Sequence, residues 1–364
     1  MRGVGSVADN GLLCRCAVAV RRVVMGCAAG LRSAPCPGAA CQQLQQQGFE
    51  PDVVVVHPGW GEAMFVREVW PRTRLLVFHE FYYSAHGADV NFDPEFPMED
   101  LRGLCQLHLK NTHLLQAIQL ADAVYTPTHW QGRQLPEPWR AQARVIFDGI
   151  RTDRACPDPQ ASLTLARQQH TISANEEVLT FVNRNLEPCR GFHVFMRALP
   201  EILRRRPKAR VLILGGDQIS YGAAPAQGGT WRQVMLQELQ GQLDLTRIHF
   251  VGRQPYAAYL KVLQISSCHV YLTYPFVLGW SCFEAMSAGA LVVGSATAPV
   301  QELIAHGRNG LLVDFFDAQA LAAQVVEVLA QPGRFQDLRT QARHTIAQGP
   351  YALSHCLPRQ LQIV

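Results

Sequence analysis

The chain has 364 residues, enough for two domains that each bury a core. Apolar residues make up 48% and charged residues 17%, which excludes a disordered chain, and no run reaches the roughly 20 apolar residues of a membrane-spanning helix. A formal charge of +4 is too small to argue for a nucleic-acid partner.

In chain order, the first 41 residues hold five of the 11 cysteines (Cys14, Cys16, Cys27, Cys36 and Cys41), five arginines and one acid, Asp9. They show neither a helical nor a strand period, and residues 1–48 read as an atypical, disordered leader. Val24-Met25-Gly26-Cys27 has the lettering of a lipoprotein cleavage site, but Arg21-Arg22 occupy the place of its apolar core. No CxxC pair occurs, so a zinc ribbon or a thioredoxin-like site is unsupported, and the cysteines read as reduced residues of a cytoplasmic protein.

From Glu50 the texture changes. Val53–Val56 is a continuous β-branched run, as in a strand buried on both faces of a parallel sheet, and a helix is expected over Glu62–Val69. A second strand, Leu75–Phe78, ends at His79, and a polar loop rich in aromatics follows over Phe81–Pro97. Leu104, Leu107, Leu114 and Ile118 mark the buried face of a helix ending near Leu120. With strands at Ala123–Tyr125 and Arg144–Phe147, residues 49–150 form a small α/β domain. Residues 151–176 read as a polar, irregular linker. Alternation restarts over 177–345, with strands at Val178–Val182, Val211–Leu214, Ile248–Val251, His269–Leu272, Leu291–Gly294 and Leu311–Val313. Helices between them predict a doubly wound Rossmann-like sheet, and 346–364 is left as a tail. Ligands of such sheets bind beyond the carboxyl ends of the strands, here at a cleft between the two α/β domains.

Two segments carry chemistry. In Asn183-Arg184-Asn185-Leu186-Glu187-Pro188-Cys189-Arg190-Gly191 a strand ends and a helix begins. Arg184 and Arg190 flank a helix N-terminus, whose free N–H groups favour an anion, and arginine forks suit phosphate oxygens. Solvated loop arginines are the bland alternative, and 30 of the 33 basic residues are Arg in any case. In Tyr274-Pro275-Phe276-Val277-Leu278-Gly279-Trp280-Ser281-Cys282-Phe283-Glu284, a turn at Gly279 opens a helix bearing a carboxylate in apolar surroundings. Glu284 needs a partner there, and a ribose diol would serve. A glutamate that only supports the helix dipole is the alternative.

These segments resemble the family 4 glycosyltransferases, of GT-B architecture, over most of 49–345. The resemblance implies two Rossmann-like domains facing across a cleft, a donor diphosphate on Arg184 and Arg190, and a nucleoside ribose on Glu284. Ala285, Met286 and Gly289 match the family's Ala-Met run and following glycine. Its first motif glutamate falls on Phe276, which puts the donor-sugar contact there in doubt, although the backbone around Gly279, Trp280 and Ser281 could still serve. Gly252-Arg253 ends a strand where the family lays the nucleotide base, and His79 corresponds to an active-site histidine. Pro127-Thr128-His129-Trp130-Gln131 is held as structural. The family's opening strand and glycine loop have no match in 1–48, so the N-terminal domain is expected to be incomplete.

The resemblance implies a retaining transfer of sugar from a nucleotide-sugar donor to a hydroxyl acceptor, with no nucleic acid and at most weak peripheral membrane association. No cofactor is expected, and the lack of Asp-x-Asp leaves a metal-dependent route without its usual ligands. A nucleotide-sugar epimerase, or a catalytically inactive remnant that still binds nucleotide, are the competing readings.

Overall fold

The computed structural model of the chain describes residues 23–26, 37–98, 100–165 and 170–364. Cys14, Cys16, Cys27, Cys36 and Arg21-Arg22 lie outside them. Contacts divide the chain into two compact units. One carries the chain up to Phe78 with His113–Val124 and Val364; the other carries His79–Thr112 and Tyr125–Ile363.

The first sheet has five strands in the order β1-β2-β3-β4-β5: Val23–Gly26, Val53–Val56, Arg74–Phe78, Ala123–Thr126 and Arg144–Val145. Its helices are α1 (Pro37–Gln46), α2 (Val66–Val69), α3 (Leu101–Leu120), α4 (His129–Arg133) and α5 (Trp139–Gln142). β1 pairs parallel with β2, Val23 opposite Val53. The expectation of a disordered leader over 1–48 is therefore corrected, since Val23–Gly26 is a strand and Pro37–Gln46 a helix. The helix expected over Glu62–Val69 shrinks to its last four residues. Gly61 has φ +88, and the Glu62 carboxylate accepts the Trp60 N–H at 2.9 Å, a local bond that competes with helix.

The supposed linker also holds structure. Ser162–Leu165 and His170–Ser173, β6 and β7, pair antiparallel, with Leu165 and Ile172 buried in the core.

The second sheet comprises β8 (Val178–Asn185), β9 (Arg210–Gly216), β10 (Ile248–Gly252), β11 (Cys268–Tyr271), β12 (Val292–Ser295) and β13 (Leu311–Val313). They lie in the order β10-β9-β8-β11-β12-β13, every pairing parallel. α6 (Phe192–Arg205), α7 (Trp231–Glu238), α8 (Tyr256–Gln264), α9 (Trp280–Ser287), α10 (Ala298–Leu303), α11 (Ala318–Ala330), α12 (Gln336–Ala347) and α13 (Leu353–Leu361) complete the chain. Strand period two divides the core between the two faces. Leu179, Phe181, Val211 and Ile213 pack with Phe192, Phe195 and Val325 on one side. Val178, Val182, Leu212 and Leu214 pack with Phe283, Met286 and Cys356 on the other. The described cysteines are free thiols, four of them buried. The tail is part of the core: α13 brings Cys356 under Phe147, and Leu353 N–H donates to Ile150 at 2.9 Å.

Candidate functional site

The strand order runs outward in one direction from β8 and in the other from β11, so the loops leaving these two neighbours splay apart. A crevice at the carboxyl ends of such a pair is where doubly wound sheets take ligands. Both segments singled out in the sequence leave from this point.

After β8 the chain makes a short 3-10 turn at Pro188–Arg190 and reverses at Gly191, with φ +67. A Cβ at Gly191 would lie 2.3 Å from Leu272 Cβ, so only glycine lets the loop close onto the end of β11. That approach places the Arg190 guanidinium across the reversal point. Its Nη1 donates to Thr273 Oγ1 at 2.9 Å and to the Val277 carbonyl at 2.7 Å. The group lies 5.3 Å from the Tyr221 ring and 5.2 Å from the Phe276 ring, and the residue is 7% exposed. Nε and Nη2 make no hydrogen bond among the described residues. Arg184 is exposed and lies 6.0 Å from the same Tyr221 ring. α6 begins here with no side-chain cap, leaving its first N–H groups unpaired by side chains.

Tyr221 is held by a residue the sequence reading passed over. The buried Glu187 carboxylate accepts the N–H groups of Ser220, Tyr221 and Gly222, each at 3.0 Å. Asn185 bonds Ser220 and accepts Arg253 Nη2 at 2.9 Å; Arg253 also reaches Gln218 at 3.1 Å. Gly252-Arg253 thus ends β10 beside the loop after β9, with Arg253 tying that loop to β8.

On the β11 side, Phe276 is buried, its ring 4.8 Å from Phe81, 5.0 Å from Tyr221 and 6.3 Å from Tyr83. An aromatic wall stands where the family motif has a carboxylate. The Gly279 N–H, expected to face a ligand, donates to the Tyr271 hydroxyl at 2.7 Å. Trp280 is exposed and its indole N–H donates to Asp148 at 2.7 Å, while Ser281 Oγ contacts the Val182 carbonyl at 3.5 Å. Glu284 is buried, and Tyr256 and Tyr259 of α8 donate their hydroxyls to its two oxygens at 2.7 and 2.5 Å. Burial raises the Glu284 carboxyl above the usual range, and the two tyrosines pull it partly back. Arg184, Arg190 and Phe276 therefore converge on Tyr221, with Arg253 joined through Asn185. Glu284 is one helical turn into α9, facing α8. His79 is placed at the end of β3, buried, with its main-chain N–H on the Tyr125 carbonyl at 2.8 Å.

The segment read as a polar loop, Phe81–Pro97, is a strap within the larger unit. Asp93 accepts the Tyr274 hydroxyl at 2.7 Å and His193 Nε2 at 3.1 Å, and Arg197 grips Glu95 with two nitrogens at 2.7 and 2.8 Å. Phe92 stacks near Tyr274 and Phe316, and Phe96 near Trp231. Asp93, Glu95 and His193 have ligand-like spacing for a metal. Their carboxylates already accept hydrogen bonds from Arg197, His193 and Tyr274, so the cluster reads as a structural network. Pro127–Gln131 is a capped helix start: Thr128 Oγ1 accepts the Gln131 N–H, and Glu302 accepts those of His129 and Trp130. No helix among the described residues is long and apolar enough to cross a membrane.

Sheet order, arginine-bearing loop and helix carboxylate together have the layout of a GT-B glycosyltransferase fold. Comparison with known proteins agrees. Residues 164–345 match the family model described as glycosyl transferases group 1, and residues 20–155 match that described as glycosyl transferase family 4 group. The chain belongs to the glycosyl transferases group 1 family. A D-inositol 3-phosphate glycosyltransferase of Corynebacterium urealyticum is 27% identical over 59% of this chain and 50% of its own length. A GDP-mannose-dependent phosphatidylinositol monomannoside mannosyltransferase of Mycolicibacterium smegmatis is 26% identical over 78% of this chain and 70% of its own. The crystal structure of Anabaena HepE with UDP and glucose superposes with a TM-score of 0.65 at 18% identity, covering 89% of this chain and 80% of that one. The chain spans about half the length of the first curated relatives it matches. The match from residue 20 includes β1.

Proposed function

We propose that this chain transfers a sugar from a nucleotide-diphosphate donor to a hydroxyl acceptor, with retention at the anomeric carbon. The bond from the sugar to the diphosphate breaks, the acceptor oxygen takes its place, and the acceptor proton leaves on a phosphate oxygen. Arg190 and Arg184 neutralise the departing diphosphate, which needs no protein base in such a scheme. Glu284 holds the ribose once Tyr256 and Tyr259 yield its oxygens, and Arg253 lies toward the base. The observation that carries the reading is the pair of guanidinium groups on one tyrosine ring at the reversal point of the parallel sheet.

The relatives' names and the bound UDP of the structural neighbour set the test: calorimetric titration with UDP, UDP-glucose, GDP and GDP-mannose, followed by a donor-hydrolysis assay. Binding of one base with slow release of its nucleoside diphosphate is the expected result. No binding of any of the four defeats the reading. Binding without hydrolysis or transfer identifies a nucleotide-sugar-binding remnant, which the phenylalanine at 276 favours.

Glu284→Gln tests the ribose assignment separately. Nucleoside diphosphate affinity is expected to fall about tenfold, the scale of one hydrogen bond to a charged group, while pyrophosphate affinity stays as it was. The melting temperature at neutral pH should hold or rise, because a desolvated carboxylate has been removed. Equal losses for both ligands would move Glu284 out of the ribose site.

A further inference from the structure

Three carboxylate oxygens among the described residues are buried without a hydrogen-bond partner: Glu62 Oε1, Asp89 Oδ1 and Asp217 Oδ1. Two have a local explanation, since the other oxygen of Glu62 takes the Trp60 N–H and that of Asp217 pairs with Arg232 at 2.7 Å. Asp89 has no such anchor from a side chain. It sits in the middle of the strap, whose ends are pinned by Phe81 on Phe276 and by Asp93 on Tyr274 and His193. The neighbours of Asp89 in the strap, Ala88, Val90 and Phe92, but not Asp89 itself, line a 310 Å³ cavity with Pro275, the residue beside Phe276. Ala88 also belongs to the apolar cluster that holds Phe81 and Phe276.

The charged groups that face Asp89 are Arg190, at the reversal point, and Lys110 on α3, whose ammonium lies 3.5 Å over the Tyr83 ring; the Tyr83 hydroxyl and Cys189 face it as well. Burial pushes the Asp89 carboxyl up to about 6, against the main-chain N–H groups of Asp89 and Val90 and the two cations, which favour the charged form. An ionised carboxylate can only accept, and an oxygen shielded from water costs stability until an O–H or N–H reaches it. Tyr83 and the phosphate-seeking Arg190 are its neighbours, and the Arg190 guanidinium in turn lies 5.2 Å from the Phe276 ring.

We infer that Asp89 accepts a hydroxyl of the transferred sugar while Arg190 holds that sugar's diphosphate. The carboxylate missing at position 276 of this chain is supplied from the strap. This rests on the nucleotide-sugar reading above.

The test is Asp89→Asn, with Asp89→Ser as a second variant, titrated with UDP and GDP and with UDP-glucose and GDP-mannose. Affinity for the nucleoside diphosphate is expected to match the wild type, and affinity for its sugar nucleotide to fall about 10- to 100-fold. The wild-type sugar-nucleotide affinity should rise with pH through about 6 as the carboxyl ionises, and the asparagine variant should lack that rise. Its melting temperature should equal or exceed the wild type's. Unchanged sugar-nucleotide affinity in both variants overturns the inference. So does a lowered melting temperature with equal loss for both ligand types, the pattern of a structural residue. If the wild type binds none of the four nucleotides, the donor reading fails and this inference with it. If the nucleoside diphosphate binds and only the sugar dependence is unaffected, Asp89 alone is eliminated.

Discussion

Arg190→Ala is expected to weaken nucleoside diphosphate binding by at least about 30-fold, because removing one partner of a buried, hydrogen-bonded charge pair costs roughly 2–5 kcal/mol. Arg190 is buried, so its field at the reversal point is little screened by water or salt. The same truncation strands Thr273 Oγ1 and the Val277 carbonyl and empties the space between Tyr221 and Phe276. A loss of stability accompanies it, about 1–3 kcal/mol for each buried group left unpaired. Arg190→Lys separates the two effects. It keeps the charge but not the fork, so it can serve either the Thr273–Val277 shelf or a phosphate, and should recover stability more than affinity. Arg184→Ala removes an exposed charge and should cost less, up to about tenfold, with a loss that shrinks as salt rises. Calorimetric affinities beside melting temperatures decide the matter. An Arg184 effect larger than that of Arg190, or intact binding in a folded Arg190→Ala protein, would sink the diphosphate assignment.

Buried parallel strands were legible because they are continuous apolar runs rich in β-branched residues. Val53–Val56 and Val211–Leu214 needed no tertiary knowledge, and the loops after them were placed by the turn residues that follow. The order of the strands is a different kind of fact. Nothing local in Val178–Asn185 or Cys268–Tyr271 says that these two lie side by side with the order reversing between them, yet that adjacency makes a site of two separate loops. Arg184, Arg190 and Glu284 could be chosen from residue chemistry. Glu187 could not, since its ligands are backbone N–H groups 33 to 35 positions away, which carry no letter of their own. Phe81–Pro97 is irregular as expected, but its packing was hidden for a similar reason. Its acids look like solvated loop residues, and their partners are 100 or more positions downstream. β1 was missed because four residues beside an arginine pair give too short a run to show a period. The pair β6–β7 was missed because its apolar face, Leu163, Leu165 and Ile172, is only three residues spread over two four-residue strands.

Asp93→Ala should be the most destabilising single change in the strap, by about 3–5 kcal/mol, because it leaves buried partners without their shared acceptor. Asp93 and His193 are both buried, and the Tyr274 hydroxyl that also binds Asp93 belongs to a buried side chain. Burial alone would raise the Asp93 carboxyl, but hydrogen bonds from His193, Tyr274 and the Glu95 N–H outweigh it and hold the group below the usual carboxylate range. The sign follows from that depression. The carboxylate contributes stability at any pH above its unfolded value of about 3.9, and the contribution is lost as pH falls through the lower folded value. Urea unfolding of the wild type should therefore show a midpoint that drops below about pH 4, with Asp93→Asn less sensitive over the same interval. Asparagine keeps the shape and one acceptor, so it should recover part of the alanine loss. Proteolysis within 81–97 should accelerate in Asp93→Ala before the rest of the unit opens, since Phe92 and Phe96 would lose the pin between them. If the alanine variant unfolds at the wild-type urea concentration and its strap resists protease, the ion network is decorative and the position of Asp89 depends on the aromatic contacts alone.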